Sequence, residues 1–408
     1  MSDPHNQYQM KRIAVLILAL LAGSAAFAQN QYYQDPKNSE MLRHGKRRLS
    51  VRKELVLPQV NGYNVYKADL HTHTIYSDGQ VLPKFRVREA WRDGLDVMAV
   101  TEHIEYRPVE ETMVNYLEKY VDDKYPKAKN NRIGGKYFPD EDGIMVDLNF
   151  SVKEAQAAAK QYGLTIIPGS EITRSGNLIG HFNALFTTDN NTIYDDDPLT
   201  SIRNAKAQGA LVMHNHPGWT KTSLDYTEVE KAAYDEGLID GVEVVNGMEF
   251  YPKYIERAQE KGLFVSANTD EHTATSFDFG SQGYLRPMTL IFAKDKSLEA
   301  LREALEAKRT LALAFDNLSG NEQLLKDFFA ASFRTEQVSV DKKGVATVLV
   351  TNCTSVSYVV KLPDGMIIPL DSFTTVSLTS APKAQALNFE VLNMWTGVDT
   401  HPTVELQF

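Results

Sequence analysis

With 408 residues, 43% of them hydrophobic, the chain can bury a large core, which excludes a disordered tail and suits two globular units or one barrel with an appendage. A formal net charge of -10 argues against a dedicated nucleic-acid binder, because affinity for a phosphate backbone needs a dense field of Lys and Arg. The single cysteine, Cys353, leaves no intrachain disulfide and no thiolate metal site, and it is expected as a small buried hydrophobe in a strand.

In chain order, residues 1–28 read as a signal peptide, with a probable start at Met10. Met10-Lys11-Arg12 is the basic region, Ile13 to Leu21 the apolar run and Ala26-Phe27-Ala28 the cleavage site. The apolar run is too short to stay in a bilayer, so export to the periplasm or medium without a stable membrane anchor is expected. Residues 29–62 form a polar lead-in without periodicity. Over 63–330 short apolar runs alternate with helical stretches, the signature of a parallel sheet or barrel. Strands are predicted at 65–70, 96–101, 164–170, 181–186, 210–214, 241–246, 263–268 and 287–292. Helices are predicted at 83–93, 151–161, 200–208, 226–236, 251–261 and 297–308. A long insertion at 107–148 follows a proposed site residue and is expected to face substrate. From 331 to 408 the segments become short, rich in Val, Thr and Tyr, and separated by turn signals, which reads as a small all-β sandwich domain whose aromatics Tyr358, Phe373 and Trp395 are core.

Seven of the ten histidines, His71, His73, His103, His181, His214, His216 and His272, stand at an end of an expected strand. In a parallel barrel the strand C-termini converge on one face, so such residues meet around one cavity. The most specific piece runs from Asp69 to Gly79. An i, i+2 pair on a strand points to one side, so His71 and His73 can present two imidazoles to one metal, and the turn at Ser77-Asp78-Gly79 returns a carboxylate to the same mouth. Thr101-Glu102-His103, Glu171 with His181, His214-Asn215-His216-Pro217 and Asp270-Glu271-His272 complete the set. Imidazole and carboxylate without thiolate suit Zn, Mn or Fe, and the number of ligands implies two or three divalent ions.

These motifs, in this order, resemble the polymerase and histidinol phosphatase (PHP) family of metal-dependent phosphoesterases over roughly residues 65–315. The resemblance implies a distorted (β/α)7 barrel with a trinuclear site. It places His71, His73, Glu171 and Asp270 on the first metal, Asp78, His103 and His272 on the second, and Glu171, His181 and His216 on the third, with Glu171 bridging. Two departures stand out. The family's usual Thr-Asp-His is Thr101-Glu102-His103 here, and His214 is an additional histidine that can be a ligand, an acid/base group or an outer-shell partner. Arg174, three residues beyond Glu171, is the best-placed cation for a phosphate. Trp219 is expected to pack, with stacking on a substrate ring as its alternative role.

The expected activity is metal-dependent hydrolysis of a small phosphomonoester or phosphodiester, such as a nucleotide or sugar phosphate, by activated water. The competing readings are an amidohydrolase or lactonase using the same water, and a non-catalytic surface-binding protein. The second is disfavoured because a scaffold has no need to keep so many desolvated acids and imidazoles together. The oligomeric state stays open.

Overall fold

The computed structural model describes residues 32–35, 37–44, 51–107, 132–133, 136–137, 147–173 and 180–408. The signal-like segment, most of the 107–148 insertion and Arg174 lie outside them. Two compact units are present, residues 1–51 and 52–408. In the first, Tyr32–Asp35 pairs antiparallel with Asn38–His44. Among the described residues no helix is long and apolar enough to cross a membrane.

The second unit is mixed α/β, built on one twelve-stranded sheet. Its strands include β1 (Asn64–Asp69), β2 (Val97–Val100), β3 (Thr165–Ile172), β4 (His181–Leu185), β5 (Leu211–Asn215), β6 (Gly241–Asn246), β7 (Phe264–Asn268), β8 (Met288–Ala293), β9 (Thr310–Ala314) and β10 (Asn317–Gly320). Helices α1 (Pro83–Arg92), α2 (Phe150–Ala159), α3 (Pro198–Ala207), α4 (Glu228–Asp235), α5 (Pro252–Lys261), α6 (Leu298–Glu306) and α7 (Glu322–Ser332) connect or cover them. All eight strands and six helices expected from the pattern are found; β9, β10 and α7 were not expected.

Local chemistry explains several boundaries. Thr227 and Glu230 form a capping box that starts α4. Pro at the first turn opens α5, and Gly262, at φ 66°, closes it in the left-handed region that favours glycine. In β2 alternate residues serve two cores: Met98 and Val100 face one cluster, Val97 and Ala99 another.

The pairing departs from a regular β/α alternation. β1, β2 and β3 run parallel, and β5, β6 and β7 run parallel. Between these sets β4 follows β3 with no described helix and lies antiparallel to both its neighbours. The end of β1 bridges to the end of β7 through Thr72 and Glu271, which brings the two flanks of the sheet together. Because β4 is reversed, its first residue, His181, lies at the same face as the C-terminal ends of the other strands.

Beyond α7 come β11 (Phe333–Val340), β12 (Ala346–Asn352), β13 (Tyr358–Lys361), β14 (Ile367–Leu370), β15 (Thr375–Thr379), β16 (Ala386–Val391), β17 (Met394–Trp395) and β18 (Thr403–Gln407). They form a three-stranded sheet, β11-β12-β15, and a four-stranded sheet, β14-β13-β16-β18, while β17 adds parallel to β10 at the edge of the large sheet. Alternate residues of β12 and β13 are buried in the same hydrophobic cluster as α1, β8 and α7, so one core runs through both parts of the unit. Tyr358 is fully buried, whereas Phe373 is 59% exposed. Cys353 is also exposed, just past β12, which corrects the expectation of a buried thiol: the chain has left the strand at that point.

Candidate metal centre

The strand ends and the loops that follow them bring nine side chains together in one cluster. Asp69 ends β1 and is held by the Arg286 guanidinium and by Thr269, whose hydroxyl donates to it at 2.6 Å. This brace fixes the ends of β1 and β7 together, so His71 and His73 face Asp270. His71 Nε2 and His73 Nε2 are 3.1 Å apart, and each lies 3.1 Å from Asp270 Oδ1. Glu171 Oε2 lies 3.4 Å from the first and 3.3 Å from the second. A tetrahedral shell with bonds of about 2.0–2.1 Å has edges of about 3.3–3.4 Å. Three donor atoms, His71 Nε2, His73 Nε2 and Asp270 Oδ1, lie together at separations that suit one small divalent cation, and Glu171 Oε2 flanks both imidazoles. Glu171 Oε2 is fully buried and accepts no hydrogen bond among the described residues, although His103 Nδ1 is 2.8 Å away. A buried carboxylate oxygen in that state is the mark of a site shaped for a cation.

A second group gathers around Asp78. His272 Nε2 is 3.1 Å from Asp78 Oδ1 and His103 Nε2 is 3.4 Å from Oδ2, with His73 stacked between the two rings at centroid distances of 4.3 Å. His103 Nδ1 and Thr173 Oγ1 are 2.8 Å apart, and His272 Nδ1 donates to the Asp270 carbonyl at 2.7 Å. A third group lies on the other side of Glu171. His181 Nδ1 is 3.3 Å and His216 Nε2 3.6 Å from Glu171 Oε1, and His216 Nε2 is 3.6 Å from Asp270 Oδ2. Glu171 thus divides its two oxygens between groups, as the resemblance implied, and Asp270 does the same, which the sequence reading did not foresee. His216 and Asp270 both take positive φ, 23° and 53°, a strained backbone that persists where surrounding structure over-determines it.

The electrostatics follow from this crowding. Burial alone would lower the imidazoles of His71, His103, His216 and His272, but neighbouring carboxylates overcome it and raise each of them. Burial would raise Glu171, Asp78 and Asp270, and the imidazoles hold them below the carboxylate range instead. At neutral pH the carboxylates are anionic and suited to hold a metal.

Several residues missed in the sequence support the ring of ligands. Glu243, fully buried in β6, accepts from His71 Nδ1 at 2.9 Å, from the His216 backbone N–H at 2.7 Å and from Asn268 at 2.9 Å. It fixes the His71 tautomer so that Nε2 presents its lone pair to the cavity. Its signal was legible: a carboxylate in the apolar run Gly241-Val242-Glu243-Val244-Val245 needs partners. Asn215 donates to Glu171 Oε1 at 2.9 Å. Glu102 accepts from the Thr74 backbone at 3.0 Å and from Ser77 Oγ at 2.6 Å, so it braces the loop carrying Asp78.

His214 does not join the cluster. Its Nδ1 meets Tyr234 Oη at 3.0 Å and its Nε2 meets Glu230 Oε1 at 3.0 Å, so of the three roles left open by the sequence these contacts fit the outer partner and not the ligand or the acid/base group. Burial pushes the His214 imidazole below its ordinary range, and Lys221, bonded to Glu230, is a cation that balances that carboxylate. Trp219, read from the sequence as packing or stacking on a substrate ring, packs beside two histidines and is also 47% exposed.

Residues 69–248 match the PHP domain. A two-domain protein containing a predicted PHP-like metal-dependent phosphoesterase, from Bacteroides vulgatus, is 32% identical; the alignment covers 88% of this chain and 99% of that one, with a TM-score of 0.74. The chain belongs to the PHP family. The PHP match ends before Asp270 and His272, yet the fold of this PHP protein returns both to the cluster. More distant structures are the lesion-specific endonuclease from Pyrococcus furiosus (16% identity, covering 63% of this chain and 59% of that one, TM-score 0.34) and histidinol phosphate phosphatase from Lactococcus lactis complexed with zinc, L-histidinol and phosphate (15%, 60% and 92%, 0.23). No curated protein matches the chain.

Proposed function

We propose that this PHP protein hydrolyses small phosphate esters with two or three divalent ions, zinc, manganese or iron. The observation that carries the reading is the pair of carboxylates, Glu171 and Asp270, each with its two oxygens turned to different histidine groups. Cations in such a set would activate a water and neutralise charge on the phosphoryl and leaving oxygens. The chain's own part is positional. Glu243 and Thr173 orient His71 and His103, the Asp69–Arg286 brace aligns β1 with β7, and burial excludes bulk water from the ligands. Arg174, for which the structure offers no placement, is proposed to meet a phosphate oxygen. The net charge of -10 favours a small ester over a nucleic-acid polymer. Export rests on the sequence of residues 10–28 alone.

The test is metal analysis of the purified protein with a panel of phosphomonoesters, phosphodiesters, amides and lactones. Turnover of phosphate esters that is abolished by chelation and restored by added metal is expected. Metal-independent turnover, or activity on amides or lactones alone, would overturn the reading. Residues 331–408, read from the sequence as a separable domain, share a core with α1, β8 and α7, and a chain ending at residue 330 tests the two possibilities: a soluble, metal-loaded product supports separability, an insoluble one makes the C-terminal sheets a structural cover.

A further inference from the structure

The loop after β5 carries a large aromatic side chain that the metal centre does not use. The Trp219 ring lies 5.4 Å from the His181 ring and 5.4 Å from the His216 ring, so it borders the third ligand group, yet 47% of the residue stays in solvent. The turn beneath it is fixed at several points. The Trp219 N–H donates to the His216 carbonyl at 2.9 Å and the Lys221 N–H to the Gly218 carbonyl at 3.0 Å. Gly218 is packed so closely that a Cβ there would come within 2.6 Å of Tyr251. Lys221 is anchored on Glu230, and Glu230 also accepts from His214 and from the Thr227 N–H. Glu230 further supports the residue before His181, since a Cβ on Gly180 would fall 2.6 Å from its carboxylate. One buried carboxylate therefore steadies the Trp219 loop, α4 and the approach to His181.

An exposed indole held on a rigid turn is a pre-organised apolar surface: its ordering cost is met before a ligand arrives, and its flat face favours flat partners. Resting on the proposed phosphoesterase reading, we propose that Trp219 is a specificity-determining platform for a planar ring, aryl or nucleobase, in the leaving group of the phosphate ester. Its position beside His181 and His216 sets that ring on the third-group side of the cavity. The alternative role, an apolar shield over two histidines, would need no flat face and would serve every substrate equally.

The distinguishing variant is Trp219→Leu, which keeps apolar cover and removes the flat surface; Trp219→Phe keeps a ring. Stacking of this kind supports about a tenfold effect. Trp219→Leu is therefore expected to raise KM about tenfold for phenyl phosphate and adenosine monophosphate, with kcat and the metal content little changed, and to leave glycerol phosphate unaffected; Trp219→Phe retains most of the ring preference. Equal losses on ring-bearing and ring-free esters would overturn the platform in favour of the shield. A second readout needs no turnover: titrating the metal-loaded protein with phenylphosphonate or benzamide while following indole fluorescence. Quenching by phenylphosphonate that disappears in Trp219→Leu, which keeps Trp91 and Trp395, supports the platform. No quenching by any ring-bearing probe sinks it. Quenching by benzamide alone, with no phosphate ester turned over, keeps the platform and removes the phosphoesterase reading, so the two failures are distinct.

Discussion

At the end of β1, His71 and His73 bring their Nε2 atoms within 3.1 Å of one another on a shared pair of carboxylates. At the end of β5, His214 and His216 have the same spacing, yet only His216 reaches Glu171, while His214 turns to Tyr234 and Glu230 on or beside α4. The i, i+2 rule places two side chains together only while the backbone stays extended. β5 ends at Asn215, and His216, at φ 23°, has left the strand, so Asn215 and His216 both reach Glu171 while His214 keeps the opposite face. Two His-x-His segments thus have different chemistry because one residue changes backbone region.

The comparison is tested most severely at the group both segments share. Glu171→Gln keeps size but makes one end a donor, which cannot face a cation. It should weaken two metal sites together and lower kcat/KM by well over about 100-fold, beyond what outer-shell changes do. His181→Ala should empty the third group only and keep residual turnover. Metal stoichiometry per chain measured beside rate decides, and a wild-type metal count and rate in Glu171→Gln would end the bridging assignment. Next, His71→Ala and His73→Ala should each remove most of the turnover, at least about 100-fold. If His214→Ala did the same, the distinction between the two segments would be lost.

A finer probe is Glu243→Gln, which leaves His71 in place but weakens the acceptor that orients it. A loss of about 10–100-fold in metal affinity or rate is expected, measured by competitive chelator titration. His214→Ala should change kcat by only a few-fold while costing about 1–3 kcal/mol of stability through the abandoned hydrogen bonds of Tyr234 and Glu230, read from chemical denaturation.

The smallest effect concerns acid. Burial would raise the Glu230 carboxyl, but His214 and Lys221 pull it down to about 2 from an ordinary 4.5. A folded-state value below the unfolded one means that its contribution is full above about 4.5 and is lost as pH falls towards 2. Glu230→Gln should flatten that limb of a melting-temperature profile; an unchanged limb would show that Lys221 and His214 do not hold the carboxylate.

How much of this was legible follows the same physics. The strands and ligands could be read because apolar runs ending in His, Asp or Glu carry both period and chemistry on the same few residues. The reversal of β4 could not, since an apolar run has no direction: the sequence places His181 at the start of its strand, and only the antiparallel pairing brings that start to the ligand face. Asp270 was recognised as a ligand but not as a second bridge, because bridging depends on where each oxygen points. The triad of Lys221, Glu230 and His214 is spread over a loop, a helix and a strand; His214 was read with the ligands, and Lys221 and Glu230 look like ordinary surface charges until the fold brings them to it. β9 and β10 are short and rich in Ala, Asn, Ser and Gly, which carry little strand preference, and α7 follows them directly with Asn321 as its cap.

The pairing of β10 with β17 has a consequence for how the chain reaches its fold. Trp395 donates its indole N–H to Asn317, 78 residues earlier, and that short strand covers the edge of the large sheet. Contacts so distant in sequence form late, because their loop-closure entropy must be met first. Until β17 arrives, β10 is an open edge able to pair with another chain. A chain that lacks this two-residue cover would therefore present an edge open to pairing with a second copy.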